Sequence, residues 1–287
     1  MIDTPFALPA HGVDVAVQVW LPEAEPSGVV VVAHGMGEHA RRYRRLAEAL
    51  TADGWAVYAP DHRGHGRTAS GPGDLGDLGP EGWDGLVADL AQLVEVAAKR
   101  HEGLAIVLLG HSMGSFAAQQ YVLDHSDRLA ALVLTGTTAL DQVAGALDPT
   151  QPADLSAFNA PFEPARTESD WLSRDEAEVD LYVADPLCGF GIDGPATVSL
   201  IAAAPRLGDQ AAIDAVRDGL PIYLASGRED PLALGGMFVD MVADRYRSAG
   251  ADVTEVLYEG ARHELFNETN RDEVTAALLD WLRPLRR

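Results

Sequence analysis

Residues 108–115 read LLGHSMGS, which puts Ser112 in the middle of Gly-x-Ser-x-Gly directly after an apolar run. A sharp strand-to-helix turn leaves no room for side chains at Gly110 and Gly114. It also pushes the hydroxyl out at a helix amino terminus. The pattern therefore points to a nucleophile rather than to an ordinary turn. A serine hydroxyl is a poor nucleophile at neutral pH, so it needs a base, and the base needs an orienting carboxylate. On a turn of this kind the partners follow in the order Ser, Asp or Glu, His. Of nine histidines only His125 and His263 follow Ser112. His125 falls at the far end of the helix that Ser112 opens, roughly 20 Å away at 1.5 Å per residue. His263, in EGARHELFNE after the last predicted strand, is the candidate base. Asp230, just past the strand in LASGREDPL, is the candidate carboxylate, with Glu229 its nearest competitor. A tetrahedral intermediate also wants two preorganised backbone N–H donors. The candidates are Met113, after the nucleophile, and Met36, after His34-Gly35.

These residues need a scaffold that brings strand ends together. VDVAVQVWLP (13–22) alternates and reads as a half-exposed, antiparallel early strand. GVVVVAHG (28–35), WAVYAPD (55–61), LAIVLLG (104–110), LAALVLTG (129–136), PIYLASG (221–227) and ADVTEVLYEG (251–260) read as further strands, several of them fully buried. Helical patterns lie between them, at 83–100, 113–125, 235–250 and 271–282, and after the strand at 28–35. Strands separated by helices imply a mostly parallel sheet covered on both faces. The alternation fails over residues 139–219, which are rich in Ala, Asp and Pro. Ligands bind beyond the carboxyl ends of strands in such sheets, so an insertion there would roof the site.

The net charge is −23, from 21 Lys and Arg against 44 Asp and Glu. That argues against a nucleic-acid partner and disfavours docking on anionic lipid. A single cysteine, Cys188, excludes an intrachain disulfide and fits a reducing compartment. No His/Cys cluster has zinc-ligand spacing, and no metal or cofactor is expected. MIDTPFALPA shows no secretory signal, and no window approaches the roughly 18 apolar residues of a membrane span. A cytoplasmic protein without stable membrane insertion is expected.

Together the segments resemble the α/β-hydrolase fold, and more narrowly its monoacylglycerol lipase/lysophospholipase group. The motifs that carry the likeness are HGMGEHARRY (34–43), DHRGHGRT (61–68), GHSMGS (110–115), SGREDPL (226–232) and GARHELFNE (260–268). It runs from about residue 13 to 282. It implies a mostly parallel sheet flanked by helices, with a core of residues 1–138 and 220–287 and a mainly helical cap at 139–219. It also implies an acyl-enzyme mechanism with Ser112 as nucleophile, His263 as base and Asp230 orienting it. The substrate class implied is a monoacylglycerol-like or other single-chain acyl ester. Glu38 and Arg42 would then lie near the glycerol-binding end, although a helix-start salt bridge would use the same two residues. DHRGHG reads as a structural loop with Asp61 and His62 hydrogen-bonded. The group often reads GHSMGG, and Ser115 stands at the last glycine. The aromatics Phe158, Phe162, Trp171, Tyr182 and Phe190 would either wall an acyl pocket or form the cap's own core. Alternatives are a serine aminopeptidase-type peptidase, with Glu163, Glu168 and Asp170 for a substrate amino terminus, a carbon–carbon hydrolase, and a non-catalytic ligand-binding homologue. An intact triad disfavours the last.

Overall fold

The computed structural model describes residues 1–286. Its sheet contains β1 (Ile2–Asp3), β2 (Phe6–Ala10), β3 (Val13–Leu21), β4 (Gly28–Ala33), β5 (Trp55–Pro60), β6 (Ile106–His111), β7 (Ala131–Thr135), β8 (Pro221–Gly227) and β9 (Asp252–Tyr258). The order is β1-β3-β5-β4-β6-β7-β8-β9, with β2 beside β3. Every pair from β5 to β9 is parallel, and β3 joins β5 antiparallel.

The side-chain period of two sorts the core. Val29 and Val31 of β4 face one apolar cluster, and Val30 and Val32 face the other. The first cluster is closed by α2 (Gly82–Arg100), α3 (Met113–His125) and α8 (Met237–Ser248), through residues such as Leu90, Ala117 and Val239. The second is closed by α1 (Arg44–Ala52) and α9 (Arg271–Leu282), through Leu46, Leu50 and Leu278. A strand buried on both faces must be apolar throughout, which is why β4 reads GVVVVA.

The early strand differs from expectation. Most of β3 is buried rather than half-exposed, because β2 and β1 extend the sheet along it. Its one polar interior residue, Gln18, is 2% exposed and donates to the Asp3 carboxylate. Between β7 and β8 the chain forms α4 (Leu140–Val143), α5 (Glu176–Ala184), α6 (Gly194–Gly208) and α7 (Gln210–Ile213), with 3₁₀ turns and no strand. Asp175 and Asp193 cap α5 and α6 with their carboxylates, and Pro195 sits in the first turn of α6. Among the described residues no helix is long and apolar enough to cross a membrane.

Candidate active site

Ser112 lies between the end of β6 and the start of α3, at φ 51° and ψ −121°. That backbone conformation is costly for a residue with a Cβ. Its N–H donates to Thr135 O at 2.9 Å, and its carbonyl accepts from Ser115 N at 2.8 Å and Ser115 Oγ at 2.6 Å. Ser115, at the position where the resemblance expects glycine, therefore braces the turn, and its Oγ accepts from the Thr137 hydroxyl at 2.8 Å. Both flanking glycines are required by packing. A Cβ on Gly110 would strike the Gly114 carbonyl, and one on Gly114 would strike the carbonyls of Ala33 and His34.

The loop after β8 carries Asp230, 1% exposed, and the loop after β9 carries His263, 2% exposed. His263 Nδ1 donates to Asp230 Oδ2 at 2.9 Å, which leaves Nε2 as the free ring nitrogen. Asp230 Oδ1 accepts from Leu232 N at 2.9 Å. Burial pulls the His263 pKa down, but the Asp230 charge and hydrogen bond outweigh it and raise it above the usual histidine value. Glu229 is exposed, and His125 packs on Tyr121 at the other end of α3. Ser112 and His263 line one cavity. Among the described residues Ser112 Oγ makes no hydrogen bond.

The Met36 and Met113 amides have no protein acceptor among the described residues, and both residues line the same cavity. The loop bearing Met36 lies against the serine, since a Cβ on Gly35 would come within 3.2 Å of Ser112 Cβ. Glu38 fixes that loop. Its Oε1 accepts from Gly35 N at 2.6 Å and from Tyr43 Oη at 2.8 Å, and its Oε2 accepts from Arg42 at 3.2 Å. Arg42 also forms a two-pronged pair with Glu264, one contact at 2.8 Å, and lies over the Tyr182 ring at 4.8 Å. Burial alone would raise the Glu264 pKa, but Arg42 holds it at about 2. Glu38 and Glu264 line the cavity, whereas Arg42 sits one layer behind and binds both.

The cavity is about 680 Å³, within the range of small-molecule sites. Its walls are mostly apolar, with Phe116, Leu140, Leu147, Leu200 and Phe238 among them; its buried acids are Glu38 and Glu264, held together by Arg42, and the exposed Asp148 and Asp154 line it as well. Phe158, Trp171 and Tyr182 do double duty, lining the cavity and packing into one small cluster. Phe162 packs against the same cluster without lining the cavity and receives the Arg262 guanidinium at 4.1 Å, and Phe190 packs on His65. Glu163, Glu168 and Asp170 do not line the cavity, and Asp170 accepts from Arg166 N and Thr167 Oγ1.

In the DHRGHG loop, Asp61 accepts from Ala40 N, Arg67 N and Arg67 Nε. The His62 N–H donates to His34 Nε2 at 3.0 Å, while the His62 ring Nε2 is buried without a protein partner. His39, Asp185 and Cys188 bring donor atoms within 4.8 Å of one another. Sequence spacing could not show this, because His39 and Asp185 are 146 residues apart. His39 Nε2 is hydrogen-bonded to Asp185 at 2.9 Å, and burial pushes the Cys188 thiol well up, so it stays protonated.

Three contacts were not anticipated. Glu264 holds Arg42, His111 stacks on His263 at 4.7 Å, and Trp171 stacks on His263 at 4.8 Å. Adjacency to the motif residues was the only sequence signal for the first two, and Trp171 offered none beyond its type.

The family model described as "Serine aminopeptidase, S33" matches residues 24–270. The monoacylglycerol lipase of Mycolicibacterium smegmatis is 34% identical over 277 residues, covering 94% of this chain and 93% of that protein. The mouse monoglyceride lipase is 32% identical, covering 96% of this chain and 88% of that one. A thermostable carboxyl esterase from Bacillus coagulans, solved with glycerol, superposes with a TM-score of 0.88 at 28% identity, with 99% of each chain covered. The chain belongs to the serine aminopeptidase S33 family of α/β-hydrolases, and within it to the monoacylglycerol lipase-like serine ester hydrolases.

Proposed function

We propose that the protein cleaves a monoacylglycerol-like or other single-chain acyl ester through an acyl-enzyme on Ser112. The observation that carries this reading is the 2.9 Å Asp230–His263 contact at the wall of the apolar cavity that Ser112 also lines. Ser112 Oγ attacks the ester carbonyl and passes its proton to His263 Nε2. The Oγ–C bond forms as the carbonyl electron pair moves onto oxygen, where the Met36 and Met113 amides receive it. Collapse expels the alcohol, which takes the proton back from His263. A water molecule, deprotonated by the same nitrogen, then attacks the acyl carbon; collapse breaks the Oγ–C bond, Ser112 Oγ takes the proton from His263, and the carboxylic acid leaves. Asp230 holds the ring in the tautomer this sequence needs.

The distribution of polarity in the cavity supports the orientation of the substrate. The acyl chain lies along the apolar walls, and the leaving alcohol points to the Glu38 end, with Arg42 acting through Glu38 and Glu264. Residues 139–219 serve as a cap over a core of 1–138 and 220–287, since Leu140, Leu147, Trp171, Tyr182 and Leu200 supply cavity wall. The lone, unpaired Cys188 is in keeping with work in the cytoplasm. Against a peptidase reading, Glu163, Glu168 and Asp170 lie outside the cavity and Glu38 and Glu264 are paired with Arg42, while Asp148 and Asp154, which also line it, are exposed and accept from Thr150 and Ser156.

The test is a panel of acyl esters of graded chain length beside aminoacyl amides, with fluorophosphonate labelling of the serine. Ser112→Ala abolishes labelling and turnover, and His263→Ala costs a comparable factor, roughly 10³-fold or more in kcat. Preference for the amides, or full activity in Ser112→Ala, would overturn the reading.

A further inference from the structure

The loop that carries His263 is gripped by one short stretch of the run between β7 and β8. Arg262 Nη1 donates to the carbonyls of Asp170 and Ser173 at 2.5 and 3.3 Å. The His263 N–H points to Trp171 O at 3.4 Å, and Glu264 N donates to Leu172 O at 2.8 Å. Ser173 Oγ donates to Asn267 O at 2.9 Å. Arg174 donates from its backbone N–H and its Nε to Glu268, whose carboxylate is fully buried. Residues 170–174 are thus hydrogen-bonded to 262–268 at nearly every position. Trp171 and Leu172 of this stretch line the cavity, and Trp171, 4% exposed, has its ring centroid 4.8 Å from that of His263 at 40°.

That placement matters at one moment of the reaction. When Ser112 gives up its proton, His263 becomes an imidazolium in a site 2% exposed to solvent, where a charge is costly unless it is compensated. Asp230 compensates along the ring edge at Nδ1. The electron-rich face of an indole attracts a cation lying against it. The other ring in contact, His111, is held neutral by its burial, so it adds no competing positive charge. Glu38 and Glu264, the remaining charged groups that bear on His263, are both tied to Arg42.

We propose that Trp171 is a positioning residue for the hydrolysis: its carbonyl and ring fix the His263 imidazole, and its π face stabilises the imidazolium that forms as Ser112 is deprotonated. The proposal rests on the base role given to His263. It also makes residues 170–174 a fixed part of the catalytic scaffold, distinct from the neighbouring exposed stretch around 145–157 at the cavity rim.

The test replaces Trp171 alone with a series of ring-fluorinated tryptophans, which weaken the π face while keeping the shape. Trp171→Phe and Trp171→Leu are made alongside. Turnover of a soluble p-nitrophenyl ester and the pH dependence of kcat/KM are measured. With added fluorine kcat falls progressively, to roughly a tenth of the starting value, with KM within twofold. Trp171→Phe stays within about fivefold, and Trp171→Leu loses roughly 10- to 30-fold in kcat. In the Leu variant the acid limb moves to lower pH, by roughly half a pH unit, because the protonated ring has lost a stabilising partner. A flat fluorination series, or equal losses in the Phe and Leu variants with an unmoved acid limb, overturns the proposal. If Trp171→Leu does not fold, the fluorinated series decides alone. Persistent turnover in Ser112→Ala would instead overturn the hydrolase mechanism itself, so the two failures are distinguishable.

Discussion

His263 differs from His34, His62, His65 and His111 in having a carboxylate oxygen 2.9 Å from its ring nitrogen. The other four are fully enclosed, and burial pushes His34 and His111 down to about 4, His65 to about 3, and His62 well below its usual value. Burial therefore keeps them neutral near neutral pH. His263 is raised instead, so as pH falls through its folded-state pKa, above 6.5, the proposed base is lost. The rate kcat/KM for a soluble ester is therefore expected to rise with pH through one ionisation centred above 6.5. In Asp230→Asn burial is opposed only by the smaller effects of Glu264 and Glu38, so the midpoint moves down while kcat drops roughly 10³- to 10⁴-fold. A midpoint unchanged or raised in that variant would contradict the account. Ser112, Asp230 and His263 stand out in the sequence as candidates because chain order and strand ends leave few others. Glu264 could not, because one more acid among 44 carries no mark of being buried against an arginine.

At the level of elements, the patterns that depend on local chemistry were readable. The helices at 113–125 and 271–282 and the strand at 221–227 have the boundaries their periodicity gives. The short strands β1 and β2 were not anticipated, since FALPA carries a proline and its pairing depends on β3 folding back along it. The run from Leu155 to Phe162 is 3₁₀ in form and has no sequence period of its own, so what positions Phe158 and Trp171 is tertiary contact. The most demanding junction is that of β4 with α3. Gly114 sits where a Cβ would meet two backbone carbonyls, of Ala33 and His34, and a backbone cannot yield as a side-chain tip can. Gly114→Ala is expected to cost at least about 3 kcal/mol of stability and most of the activity. Gly73→Ala, where the added methyl meets open space, should leave thermal unfolding unchanged. Equal melting temperatures for the two variants would show that the elbow has room the packing denies.

Across the whole molecule, the charge and the cavity pull in different directions. An apolar pocket of about 680 Å³ draws a lipid-like ester out of an interface, while 44 acids against 21 basic residues repel any interface that is itself anionic. Repulsion between a charged protein and a charged surface extends about one Debye length, roughly 30 Å at 0.01 M salt and roughly 10 Å at 0.1 M. Burial of the acyl chain is an apolar transfer and does not weaken with such salt. Hydrolysis of a neutral monoacyl ester dispersed in anionic vesicles should therefore be several-fold slower than in zwitterionic vesicles at about 0.01 M salt. The gap should close as salt approaches roughly 0.5 M. A water-soluble p-nitrophenyl ester, which meets no surface, serves as the control and should change little over the same range. If the anionic vesicles instead gave the faster reaction at low salt, a local basic surface would have to outweigh the global field. Arg41, in the turn before α1, and Arg44 and Arg45 at its start are the arginines to replace first in that event, because all three are exposed beside the segment that bears Glu38.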